Sequence, residues 1–148
     1  TRRCTASSAE DLCPVPRLVI AGQGPIADAL RAQGELLGWR PVVEPRPDAV
    51  AGLAATLSHL DAIVVMGHDV ESSSRSLLGA LEGDAGYVGA LGSLQMQRAR
   101  ADWLAYRDVT DLSRVHGPAG LDIGARSPAE IAVSIFAEIV AHRQQRTI

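Results

Sequence analysis

The sequence predicts an α/β domain of the Rossmann-like, doubly wound type, in which helices cover both faces of a parallel sheet. Three observations lead to this prediction. Short apolar runs typical of buried strands alternate with segments of helical periodicity along the chain. A glycine-rich turn follows the first of these runs, and no internal repeat interrupts the alternation. Apolar residues make up 47% of the chain and charged residues 21%, as in an ordinary globular domain.

Four apolar runs are predicted as strands, and each is bounded by glycine or proline turns. They cover residues 17–21, 40–44, 62–66 and 87–91. The fourth run contains Gly89, which weakens a strand because it has no side chain to pack. The segment 109–115 is compatible with either a strand or a loop.

Helical periodicity follows each of these runs. The predicted helices cover residues 26–37, 48–60, 72–81 and 94–106, and a last helix begins at Ser127. Pro25 suits the first position of the first helix, and Gly38 suits its left-handed stop. Ser127 and Glu130 have the spacing of a capping box, and an apolar stripe at helical spacing follows them. The stripe consists of Ile131, Ile135, Phe136, Ile139 and Val140.

The predicted domain covers residues 17–148, after a flexible leader at residues 1–16. Both cysteines, Cys4 and Cys13, lie in the leader with no histidine nearby, so no metal site is expected. Neither a signal peptide nor a membrane-length apolar run is apparent, and the sequence predicts a cytoplasmic protein with no membrane partner. The net charge of −3 provides no basic surface for nucleic acid.

The main functional indication is the turn between the first strand and the first helix, which reads Gly22-x-Gly24-x-x-Ala27. Gly22 permits a tight turn, and Gly24 lets a pyrophosphate approach the backbone. Free N–H groups at the helix start favour an anion, although Pro25 removes one donor. A turn that binds nothing is the alternative. The candidate cofactor-binding residues here are Gly22, Gln23, Gly24, Pro25 and Ile26.

Two charged residues close the second predicted strand. Glu44 lies about 20 residues after the glycines, where an acidic residue commonly binds ribose hydroxyls. Arg46 is placed to reach a 2′-phosphate, which would favour NADP over NAD. A solvated turn residue is the alternative interpretation of Arg46.

Further candidates follow the later strands. His68 is the only candidate for a catalytic acid or base, and a structural histidine is an equal alternative. Asp69 either contacts a ligand or caps the next helix. Gly92 and Ser93 form either a second anion cradle or a helix cap, and Asp122 lies in a glycine-bounded loop. The other histidines are interpreted as ordinary surface or loop residues: His59, His116 and His142.

Seven segments between about residues 17 and 142 together resemble the C-terminal Rossmann domain of the XdhC/CoxI family of molybdenum-enzyme accessory proteins. They read RLVIAGQGP (17–25), LGWR (37–40), VEPR (43–46), VVMGHD (64–69), YVGALGS (87–93), GLDIG (120–124) and SPAEIAVSIFAEI (127–139). The last three segments are the specific ones, because the glycine turn alone fits many families.

The resemblance implies an accessory protein that binds the molybdenum cofactor, a pterin carrying a phosphate or a dinucleotide, and passes it to xanthine dehydrogenase or a related molybdenum hydroxylase. The implied partners are hydroxylase subunits and a separate protein with the family's N-terminal domain. An NAD(P)-dependent oxidoreductase or NAD(P)-binding domain is the alternative. A third possibility is a ligand-free homodimer paired through an exposed sheet edge. A non-catalytic role is favoured, and catalysis stays open.

The sequence departs from the family pattern in two places. It shows no counterpart of the family's cysteine-containing N-terminal domain. The link between Glu44 and Ala62 is short for a family that fits another strand there, so one edge strand is expected to be missing. In that case the strand at 62–66 lies beside the first strand, and His68 lies next to the glycine turn. Gly67 stands where the family often has threonine.

Overall fold

A single parallel sheet with helices on both faces organises residues 14–146, the part of the chain that the computed structural model describes. Its strands are β1 (Arg17–Ala21), β2 (Arg40–Val43), β3 (Ala62–Val65), β4 (Tyr87–Ala90) and β5 (Val115–His116). The helices are α1 (Pro25–Leu36), α2 (Pro47–Ala54), α3 (Val70–Leu81), α4 (Leu94–Ala105) and α5 (Pro128–Arg146). Residues 1–13 of the predicted leader lie outside the described residues.

The strand order is β2-β1-β3-β4-β5, and all neighbouring pairs are parallel. β3 pairs directly with β1, with Leu18 opposite Ala62 and Ala21 opposite Val65. The Rossmann-like fold is therefore confirmed, and so is the absence of a strand between β2 and β3. The order is that of the flavodoxin-like variant of the doubly wound sheet.

Alternate residues of β1 face the two layers of helices, because successive side chains of a strand point to opposite faces. Leu18 and Ile20 lie in a cluster with residues of α1 and α5, and Val19 and Ala21 lie in a second cluster with residues of α2, α3 and α4. All four side chains are at most 2% exposed. A strand covered on both faces explains the continuous apolar run in the sequence.

The helix α2 ends earlier than predicted, at Ala54 rather than near residue 60. The carboxylate of Asp61 is 6% exposed and accepts the N–H of Ser58 at 2.8 Å and the N–H of Arg17 at 2.8 Å. A side-chain acceptor of this kind offers the backbone an alternative to helix continuation. The chain therefore turns at residues 58–61, directly before β3 begins at Ala62.

The capping box of α5 is confirmed: Ser127 Oγ accepts the N–H of Glu130 at 3.2 Å, and Glu130 Oε1 accepts the N–H of Ser127 at 3.3 Å. Ile135 and Ile139 are fully buried, as the stripe predicts. The prediction for Val140 is wrong, because its side chain is 41% exposed beside Leu37 and Val133. Of the ambiguous segment 109–115, only Val115 joins a strand.

None of the described helices is long and apolar enough to span a membrane.

Candidate phosphate-binding site at the carboxyl edge of the sheet

The carboxyl ends of the strands form one edge of the sheet, called here the carboxyl edge. The chain leaves β1 toward β2 on one side, whereas β3 lies on the other side of β1. Ligands of open α/β sheets bind at such a reversal of strand order, outside the carboxyl ends. The loops that follow β1, β3 and β4 at this edge are residues 22–24, 66–69 and 91–93.

The glycine turn after β1 has the backbone geometry of an anion cradle. Gly24 is the N-cap of α1 with φ 114°, and no side chain caps the first turn. A Cβ on Gly24 would meet nothing within 4 Å, so space for a ligand lies directly beside this backbone. Pro25 occupies the first turn of the helix as predicted. The helix start thus offers N–H donors without an internal acceptor, next to open space.

Gly22 is fixed by its neighbours rather than by a ligand. Its N–H donates to the carbonyls of Ile20 at 3.2 Å and Glu44 at 3.0 Å, and its φ is 154°. A Cβ at this position would lie 2.3 Å from Cγ of Met66. The turn therefore requires glycine at position 22, because Met66, directly after β3, approaches it closely.

The acidic candidate Glu44 is 8% exposed, and its carboxylate is engaged by Arg46. Arg46 donates from its Nε at 3.2 Å, its backbone N–H at 2.9 Å and its NH2 at 2.9 Å. The side-chain hydrogen bonds from Arg46, followed by that from its backbone, hold the pKa of Glu44 below its ordinary value. Ribose hydroxyls would have to compete with Arg46 for this carboxylate.

The two polar candidates after β3 have different environments. Asp69 is the N-cap of α3 and accepts the N–H of Ser72 at 2.9 Å. The side chain of Ser72, followed by its backbone N–H, lowers the pKa of Asp69. His68 is exposed at the carboxyl edge, beside the strand that carries the glycine turn. No described residue forms a hydrogen bond with its ring. Nothing in the described residues therefore orients His68 as an acid or base.

The candidate residues after β4 and those after β5 also have different environments. Ser93 caps α4 by accepting the N–H of Met96 at 3.2 Å, and Gly92 has φ 133°. Asp122 is exposed in the loop after β5, and no described residue donates a hydrogen bond to its carboxylate. The strands β3 and β4 lie between β5 and β1, so Asp122 follows a strand distant from the glycine turn.

Two side chains of α4 that the sequence analysis did not single out hold the loops of the carboxyl edge. Arg100 is 1% exposed and donates to the carbonyls of Leu91 at 2.6 Å and Gly67 at 3.3 Å. Gln97 donates to the carbonyls of Ala90 at 2.9 Å and Gly92 at 3.2 Å. No local signal marks them, because Ser93, Gln97 and Arg100 are polar residues at helical spacing, a pattern typical of an exposed helix face.

The interpretation of His116 and His142 as ordinary surface or loop residues is wrong. His116 stacks on Tyr87 with ring centroids 4.6 Å apart, and His142 meets His116 edge-on at 4.9 Å. Glu138 Oε1 accepts the Tyr87 hydroxyl at 2.6 Å and the N–H of Gly120 at 3.2 Å, and it lies 3.7 Å from His116 Nδ1. These contacts tie α5 to β4 and to the loop after β5. Their residues are far apart in sequence, so no local pattern reveals them.

Among residues 14–146, no group of three histidine, aspartate, glutamate or cysteine side chains is arranged to hold a metal ion.

The strand order, the two layers of helices and the glycine turn define a Rossmann-like domain. The chain belongs to the family of the XdhC Rossmann domain, whose model matches residues 18–139. That match lies within the region of about residues 17–142 in which the resemblance was seen.

Two relatives extend the comparison. YqeB of Escherichia coli (strain K12) is 27% identical over 145 residues, a match that covers 84% of this chain and 27% of YqeB. The crystal structure of a xanthine dehydrogenase from Bacillus halodurans superposes with a TM-score of 0.74 at 25% identity, covering 90% of this chain and 44% of that one. The chain thus spans less than half the length of both relatives.

Proposed function

We propose that this domain binds a phosphate-bearing cofactor at the Gly22–Gly24 turn and serves in handling the molybdenum cofactor for hydroxylases of the xanthine dehydrogenase type. Membership of the XdhC Rossmann domain family supports the role, together with the likeness to a Bacillus xanthine dehydrogenase. In this proposal its partners are hydroxylase subunits, or a chain that supplies a family-type N-terminal domain, in the cytoplasm.

The observation that carries the proposal is the open cradle at Gly24. A positive φ and the absence of any atom within 4 Å of a hypothetical Cβ let a phosphate contact this backbone closely. The N–H groups of Gln23, Gly24 and Ile26 belong to this turn and the helix start, and no described residue accepts a hydrogen bond from them. The positive end of α1 adds a favourable interaction with negative charge. The residues present therefore fit the phosphate of a pterin cofactor or nucleotide.

The pairing of Glu44 with Arg46 disfavours recognition of ribose at the end of β2. The carboxylate has both oxygens occupied, whereas the side chain of Arg46 is 79% exposed. Because Glu44 carries the opposite charge, the pair adds no net charge to the carboxyl edge beside β2. A ligand whose affinity depends on ribose hydroxyls would therefore compete with Arg46 for the Glu44 carboxylate.

The role proposed for the chain is binding rather than catalysis. The molybdenum cofactor, when bound, would supply the redox chemistry of the enzyme that receives it. The residues of this chain would hold its phosphate at the turn. The same edge also carries four further candidate residues, His68, Asp69, Gly92 and Ser93. Asp122 lies in the loop after β5.

A thermal-shift screen of the purified protein against NAD, NADP, CMP, GMP and a molybdenum-cofactor preparation tests the proposal. A ligand at about one hundred times its dissociation constant adds about 2.7 kcal/mol to the free energy of unfolding, a readily measured rise in melting temperature. A shift with the cofactor preparation or with CMP or GMP, without one for NAD or NADP, is the expected result. A shift confined to NAD or NADP would favour the oxidoreductase alternative instead.

Matched variants separate binding from folding. Gly24 and Gly38 lie at opposite ends of α1, and both have positive φ with nothing within 4 Å of a hypothetical Cβ. Gly24→Ala and Gly38→Ala are therefore expected to cost similar stability, while only Gly24→Ala abolishes the ligand-induced shift. Equal ligand shifts in both variants would refute a binding role for the turn.

A further inference from the structure

Arg100 is a buried charge without a counter-charge. It is 1% exposed, and no described carboxylate lies within ion-pair distance of its guanidinium. Its three nitrogens donate to neutral oxygens: Nε to Ser73 Oγ at 2.9 Å, NH1 to the Leu91 carbonyl at 2.6 Å and NH2 to the Gly67 carbonyl at 3.3 Å. An apolar side chain usually fills such a position at lower cost, because burying a charge sacrifices its hydration.

The partners of Arg100 all lie at the carboxyl edge. Gly67 follows β3, Leu91 follows β4, and Ser73 belongs to the first turn of α3. Gln97, one helical turn before Arg100, donates to the carbonyls of Ala90 and Gly92 in the same region. The two side chains thus fix the carbonyls of both loops, and they do so from one helix.

Fixing a carbonyl also fixes the N–H on the other side of its peptide bond. In a planar trans peptide the C=O and the following N–H point in opposite directions. The carbonyls of Gly67, Leu91 and Gly92 point toward α4, so the N–H groups of His68, Gly92 and Ser93 point away from it. No described residue accepts a hydrogen bond from these three N–H groups.

We propose that Arg100 and Gln97 are positioning residues that hold these three N–H groups as a second anion-binding subsite for the ligand of the Gly22–Gly24 turn. The inference rests on the proposed function, and it assigns that ligand two anionic groups. Gly92 and Ser93 supply two successive N–H donors aimed to one side, an arrangement that binds anions, and the N–H of His68 belongs to the neighbouring loop. The charge of Arg100 lies directly behind the same peptides, where the low dielectric of the interior strengthens its attraction for an anion.

Inorganic phosphate is the probe, because a single anion reports on each subsite separately. The full chain is labelled with 15N, and its amide signals are followed during a phosphate titration at low salt. In the wild type we expect saturable shifts at Gln23 and Gly24, and independently at His68, Gly92 and Ser93. The first group of signals tests the proposed function, and the second group tests this inference.

Variants of α4 test the positioning role. Gln97→Leu is expected to weaken phosphate binding at Gly92 and Ser93 by about tenfold, the scale of one lost hydrogen bond, and to leave the dissociation constant at Gly24 within about twofold. Arg100→Lys keeps the charge and should retain part of the affinity that Arg100→Met loses. Gln95→Leu, at an exposed position of the same helix, is the control. Because Gln97 is only half-buried, its variant tests the inference even if Arg100→Met does not fold.

Each other outcome is decisive. Phosphate shifts at Gly24 alone would overturn the second subsite and leave the proposed function intact. Equal affinity at Gly92 in wild type and Gln97→Leu would overturn the positioning role. A titration that moves neither group of signals would overturn both the inference and the phosphate-binding proposal.

Discussion

Arg46 donates from its Nε and NH2 groups to the two carboxylate oxygens of Glu44, at 3.2 and 2.9 Å. The two residues lie on either side of Pro45, at the point where β2 ends and the chain turns toward α2. The acid that a dinucleotide-binding sheet commonly presents to ribose is thus satisfied within the chain. The pair forms within the β2–α2 turn, and the pKa of Glu44 reports on it directly.

Replacing Arg46 by methionine should raise the pKa of Glu44 above its wild-type value, because the hydrogen bonds from Arg46 lower it from 4.5. A group with a lowered folded pKa contributes stability above about pH 4.5 that is lost as the pH falls. The variant should therefore lose less stability on acidification than the wild type. A carboxyl 13C titration by NMR measures the pKa, and Arg40→Met, at an exposed position of β2, is the control. An unchanged pKa would mean that the pair does not form in solution.

Gly22→Ala should destabilise the fold by about 1–3 kcal/mol, because it combines a positive φ with overpacking against Met66. Urea unfolding measures the change. Gly52→Ala is the control, since Gly52 lies within α2 with nothing within 4 Å of a hypothetical Cβ. Alanine there should be neutral or stabilise by about 0.5–1 kcal/mol.

A double variant separates the two causes of that loss. Met66→Ala removes the side-chain atoms that a Cβ on Gly22 would meet. The double variant should therefore lose less free energy of unfolding than the sum of the losses in the two single variants. Simple additivity would show that backbone strain, and not contact with Met66, requires glycine at this position.

Tyr87→Phe should lower the free energy of unfolding by about 2 kcal/mol, because it removes a hydrogen bond from a buried hydroxyl to the Glu138 carboxylate. Burial, followed by the hydrogen bond and charge of Glu138, raises the pKa of Tyr87. Tyr106→Phe is the matched control, because Tyr106 is 91% exposed. A Tyr87→Phe variant as stable as the control would exclude a structural role for this contact.

The free energy of unfolding should decrease as the pH is lowered from 7.5 to 5.5, and His116 should contribute to this decrease. Burial lowers the pKa of His116 from 6.5, Glu138 opposes that shift, and His142 adds to it. The unfolded chain therefore binds more protons at His116 than the folded chain in this range, so stability is lost as the pH falls below about 6.5. His116→Gln should show a smaller loss than the wild type in urea unfolding at the two pH values. The exposed His59→Gln should match the wild type, and an identical loss in all three would contradict the assignment.

The sequence predicts most of the fold because its signals are local. Proline at the start of α1, glycine after its end and the capping box of α5 each act within a few residues, and each lies where predicted. The end of α2 was missed because it depends on Asp61, whose carboxylate also binds the N–H of Arg17, 44 residues away. Long-range contacts of this kind leave no periodic pattern.

The candidate site was predictable in part for the same reason. The glycine turn and the caps at Asp69 and Ser93 follow from strand–turn–helix patterns. The burial of Arg100 does not, because a polar helix face is ordinarily exposed and only the loops after β3 and β4 make this one internal. The pairing of Glu44 with Arg46 is predictable from the sequence, because the two residues are two positions apart and oppositely charged.

The helix α5 runs antiparallel to the strands, and its direction decides where the ends of the described domain lie. Its first turn lies at the carboxyl edge, and farther along His142 contacts the carbonyl of Gly86, just before β4 begins. The start of β1 lies at that same far edge, where Arg17 binds Asp61. The first residue of β1 and the later turns of α5 therefore both lie at the edge of the sheet opposite the glycine turn. The proposed binding site and both ends of the described domain are thus separated by the full length of the central strands.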